Sequence, residues 1–102
     1  MVSGRNEIVQ NLSDQRQRFD DAMRDFMRAD VETGISFASI GLNSPPDDKR
    51  RRMQTHARRA YDTVMYFWQK HPRSRPREGH ELVSRMQTLK RMLIDLGENF
   101  EE

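Results

Sequence analysis

With 102 residues the chain has room for one domain and one hydrophobic core, and with 34% hydrophobic against 33% charged residues that core is thin, as in a small bundle of amphipathic helices. The absence of cysteine excludes disulfides, cysteine-based metal sites and thiol catalysis. The net charge of +2 hides a division: residues 1–48 carry five Arg against nine acids, residues 49–91 thirteen Lys or Arg against three acids, and residues 92–102 four acids.

An extended sheet is disfavoured because Arg, Met, Gln, Glu, Asp and Leu outweigh the β-branched residues. No run approaches the roughly 18 apolar residues of a membrane span, and the start MVSGRNEIVQNLSD lacks the apolar centre of a signal peptide. The expectation is a soluble, cytoplasmic protein with no membrane partner.

Residues 1–6 read as a flexible start. From Glu7 to Leu42 there is no proline, and apolar residues recur at Ile8, Leu12, Phe19, Met23, Phe26, Met27, Val31, Ile35, Ala38 and Leu42, which predicts one long first helix. Gly34, Ala38 and Gly41 stand at i, i+4 and i+7 and form a smooth strip. A helical glycine costs about 1 kcal/mol relative to alanine, so two of them predict close approach of a second backbone.

Residues 43–48 (NSPPDD) end this helix and start the next, with Ser44 as the predicted cap and Asp47 and Asp48 at the positive end of the new helix dipole. The second helix is predicted from about residue 46 to Lys70. Its stripe, Met53, Ala57, Ala60, Val64 and Phe67, widened by Tyr61, Met65 and Trp68, gathers the largest apolar surfaces of the chain. Ala57 and Ala60 are the predicted counterparts of the glycine strip.

The loop HPRSRPREG leads to a third helix over about residues 77–96, with Leu82, Met86, Leu89, Leu93 and Leu96 in the spacing of a heptad seam. Gly97 is the predicted C-terminal cap, with residues 98–102 frayed behind it. Short connections make neighbours antiparallel, so the fold class is all-α: an up-down-up three-helix bundle, one domain over residues 7–97, with a long first helix. In that arrangement Gly41 lies near Met53, Gly34 near Tyr61 and Met27 near Trp68, and residues 8–19 overhang their partners.

The chemistry-bearing motifs are sparse. Asp20, Asp21 and Asp25 match an aspartate-rich diphosphate box superficially, but the second metal motif of such enzymes is missing, and a solvated acidic face accounts for them. His80-Glu81-Leu82 matches the centre of a histidine-kinase phosphoacceptor box, but Val83 stands where that box has arginine. His56, His71 and His80 fall in separate segments, which predicts no zinc site. No catalytic residue, metal or cofactor is expected.

The basic run Lys49, Arg50, Arg51 and Arg52, joined by Arg58 and Arg59, is a candidate polyanion-binding set. The acids of the first helix, Asp14, Asp20, Asp21, Asp25, Asp30 and Glu32, are alternative ion-pair partners, and that structural reading is favoured over nucleic-acid binding.

Gly34, Phe37, Ala57 and Tyr61 together resemble part of a tetratricopeptide helical hairpin, which carries a small residue and an aromatic on its first helix and Ala-x-x-x-Phe/Tyr on its second. The segments ADVETGISFASIGL and ARRAYDTVMYFW also look similar to short, uncharacterised bacterial proteins of about this length. That resemblance implies a helical hairpin with a third helix and no particular chemistry. The functional expectation is a non-catalytic interaction module, a homodimer or a binder of another helical protein, using Ile8, Leu12 and Phe19.

Overall fold

The computed structural model describes the backbone of residues 3–75 and 79–100, and the side chains from Val9 onward. Three helices, α1 (Ser3–Leu42), α2 (Asp48–Lys70) and α3 (Gly79–Asp95), run up, down and up, with a short 3₁₀ turn over Pro72–Ser74 between the last two. The described residues contain no strand. The molecule measures 70 × 24 × 20 Å, its length set by the 40 residues of α1.

Each boundary has a local cause. Ser44, the expected cap of α2, instead donates its hydroxyl to the Ile40 carbonyl at 2.6 Å and closes α1. Asp47 caps α2, accepting from the backbone N–H of Lys49 at 3.0 Å and of Arg50 at 3.4 Å, which moves the helix start two residues past the predicted one. At the end of α3, Gly97 adopts φ 107°, and the N–H groups of Glu98 and Gly97 bond to the Leu93 and Ile94 carbonyls at 2.9 Å. This is the Schellman closure that Gly97 predicted.

Both ends of the chain extend the predicted architecture. The backbone is already helical from Ser3, so α1 begins four residues before the predicted Glu7. Residues 98–100 are pinned rather than frayed: Gln54 Nε2 donates to Glu98 at 2.8 Å, Arg58 Nη1 donates to the Asn99 carbonyl at 3.1 Å, and the Phe100 ring meets Tyr61 edge-on at 5.0 Å. The expected first residues of the third helix, 77 and 78, lie outside the described residues.

The core consists of Met27, Val31 and Ala38 from α1, Ala57, Ala60 and Val64 from α2, and Leu82, Met86, Leu89, Leu93 and Leu96 from the third helix and its cap. The glycine strip seats both neighbours at once. A Cβ on Gly34 would lie 2.8 Å from Leu89 Cδ2 and 3.0 Å from Ala60 Cβ, and one on Gly41 would lie 3.3 Å from Leu96 Cδ2 and from Met53 Cβ. The register is the predicted one at Gly41 and one residue off at Gly34, which faces Ala60 rather than Tyr61.

Candidate interaction surface

α3 covers one side of the α1/α2 hairpin and leaves the other open. Along the open seam the Phe19 ring meets His71 edge-on at 5.5 Å, His71 stacks on Phe67 at 5.6 Å, Phe67 meets Phe26 edge-on at 5.5 Å, and Phe37 lies 5.0 Å from His56. Phe19 was expected to protrude without a partner; the α2 cap residue His71 partly houses it. Phe19 and Phe26 remain 49% and 41% exposed all the same.

The exposed rings belong to a longer pattern on the back of α1. Leu12, Gln15, Phe19, Ala22, Phe26, Ala29, Thr33, Ser36 and Ile40 follow one another at intervals of three and four, and all nine are exposed. None is charged, in a chain one-third charged. Large residues alternate with small or polar ones, a coiled-coil seam that α2 touches only at its edge, through Phe19 and Phe26. The signal was present in the sequence as the uncharged 3-4 repeat, but mixing these positions with core-facing Met27, Val31 and Ala38 concealed it.

The overhang begins where the turn after α2 docks: the fully buried Ser74 donates its hydroxyl to Asp20 Oδ1 at 3.0 Å. Before that level α1 continues without intrachain cover, with Val9 61% and Leu12 58% exposed. Ile8, expected to share this surface, has a side chain outside the described residues.

Electrostatics distinguish the two flanks of the seam. On the α2 side Asp30 sits in a shallow recess with Phe26, Thr33, Phe37, His56 and Arg59, and burial raises its carboxyl pKa above the ordinary value. It has no ion pair. On the α3 side Glu32 accepts from Arg85 Nε at 2.6 Å and Nη2 at 2.7 Å, hydrogen bonds that hold its pKa below the ordinary value.

The basic residues do not converge. Consecutive positions on a helix point about 100° apart, so Lys49, Arg50, Arg51 and Arg52 spread around the first turn of α2. Arg58 is committed to Asp62 at 3.0 Å and to Phe100, 4.0 Å from the ring centroid. The ion pairs expected between this set and the acids of α1 do not form among the described residues: Asp21 is taken by Arg24 and Glu32 by Arg85, and Arg50 and Met53 lie beside Gly41, at the other end of α1 from Asp14, Asp20 and Asp25. Lys49, Arg51, Arg52 and Arg59 are exposed and have no carboxylate partner among the described residues.

A second apolar concavity, about 260 Å³, opens between α2 and α3 and is lined by Tyr61, Met65, Trp68, Leu82 and Met86. Arg75 lies over the Trp68 ring, 4.8 Å from its centroid. Among the described residues no His, Asp and Glu side chains gather into a group that could hold a metal ion, and no helix is long and apolar enough to cross a membrane. No family model, curated protein or solved structure matches the chain.

Proposed function

We propose that the protein is a non-catalytic helical interaction module of the cytoplasm that associates with itself through the back of α1. The observation that carries this reading is the uncharged, exposed seam from Leu12 to Ile40, which continues into an overhang with no partner among the described residues. Burying such half-exposed apolar side chains gains roughly 25 cal/mol per Å², and a chain with so small a core benefits from the addition.

Sedimentation or light scattering over a concentration series tests it. The native chain should be dimeric in the micromolar range and Phe26→Arg monomeric, with unchanged helix content. A native chain that stays monomeric throughout rejects the reading.

A second reading, polyanion binding by Lys49, Arg51, Arg52 and Arg59, draws on the absence of carboxylate partners for these four side chains among the described residues. Gel-shift titrations across salt separate the two, since phosphate contacts weaken steeply as salt rises. No retardation at low salt removes it.

A further inference from the structure

Resting on the self-association just proposed, we infer that two copies pair through antiparallel α1 helices about a two-fold axis level with Arg24. In this register the alternation of large and small residues becomes a fit. Phe19 of one copy faces Ala29 of the second copy, Phe26 faces Ala22, Leu12 faces Ser36, and Gln15 faces Thr33, each contact occurring twice by symmetry.

The flanks choose this register. On the α2 side Arg16 falls opposite Asp30 of the second copy, the half-buried carboxylate that has no ion pair among the described residues of its own chain. Val9 falls opposite Phe37 on the same side, and Met23 meets its own symmetry mate. On the α3 side Arg18 falls opposite Glu32. The single unfavourable contact is Asp25 against its symmetry mate, at the exposed edge.

The alternatives fit less well. A shift of one heptad in either direction replaces the Arg16 to Asp30 contact with Val9 or Met23 against Asp30. A parallel pair stacks Phe19 on Phe19 and Phe26 on Phe26 and sets Asp25 beside Asp30, two like charges across the seam. The antiparallel register also covers the overhang, since residues 12–19 of one copy then lie along residues 29–36 of the other. The first turns of α1, otherwise unsupported, become an arm across the second copy.

Single cysteines test the geometry in a chain that has none of its own. Asp25 and Asn11 are both exposed and make no side-chain contact in the fold. Asp25→Cys should give a covalent dimer under mild oxidation in high yield, because its symmetry mate lies across the axis. Asn11→Cys should give none, because the two copies of residue 11 are then roughly 39 Å apart along the helices at 1.5 Å per residue. Cross-linking of Asn11→Cys, or none from Asp25→Cys in a sample that scatters as a dimer, overturns the register while leaving self-association standing. A monomer by scattering overturns both.

Discussion

The Ser74 hydroxyl, with no exposed surface, donates to Asp20 Oδ1 at 3.0 Å and ties the turn after α2 to α1 across 54 residues of sequence. That bond sets where the bundle stops and the overhang starts. Ser74→Ala removes a buried hydrogen bond to a charged group, worth about 2 kcal/mol, and a lower thermal midpoint checks it. The Phe19 to His71 contact beside it should loosen as well, read from the His71 ring resonances.

Gly34 and Gly41 should respond differently to alanine. A methyl on Gly34 meets Ala60 Cβ at 3.0 Å, and that atom is fixed to the α2 backbone, whereas the contacts at Gly41 are 3.3 Å. Helix propensity favours alanine by about 1 kcal/mol at either site, while overpacking costs about 1–3 kcal/mol. Gly34→Ala is expected to destabilise by about 1 kcal/mol and Gly41→Ala to be near neutral. Chemical denaturation curves for the two would show a lower midpoint for the first only.

Phe100 lies against Tyr61 at 5.0 Å, with the Arg58 guanidinium 4.0 Å and the Lys90 amine 5.3 Å from its ring. Phe100→Ala should cost about 1–2 kcal/mol through lost ring and cation contacts. The same loss should appear on truncation after Gly97. A truncated chain as stable as the intact one would contradict the anchored tail.

Asp30 and Glu32 pull the pH dependence in opposite directions. Burial raises the Asp30 pKa above its ordinary 3.8, so the folded chain holds that proton more tightly than the unfolded chain does. Its charge therefore weakens the isolated fold at neutral pH, and the penalty is relieved as pH falls through the raised value. The Glu32 pKa is lowered from 4.5, first by the Arg85 hydrogen bonds, so its contribution is present above that ordinary value and lost as pH falls through the depressed folded one. At concentrations below the association range, Asp30→Asn should raise the neutral-pH melting temperature and Glu32→Gln lower it.

The helices, their order and the small-residue contact at Gly34 and Gly41 were legible because each rests on local spacing or on a turn residue with one physical use. Gly97 announced its closure for the same reason. The α2 cap is Asp47 rather than Ser44, two residues of capping type three positions apart, and only the backbone direction decides which way each hydroxyl or carboxylate bonds. The packing of Phe100 depends on Tyr61 and Arg58, 39 and 42 residues away, and no local signal encodes it. The exposed seam was visible as spacing, but telling it from the core required knowing which face of α1 the other helices occupy.

Both shorter helices settle on the same side of α1 and leave a furrow between each other, so the core residues and most of those that would meet a second copy occupy different faces of one rod, with Phe19 and Phe26 shared at the α2 edge. Substitutions at Leu12 or Ala29 can therefore abolish pairing without touching Met27, Val31 or Ala38. Affinity and foldability become separable properties, open to independent change along a single helix.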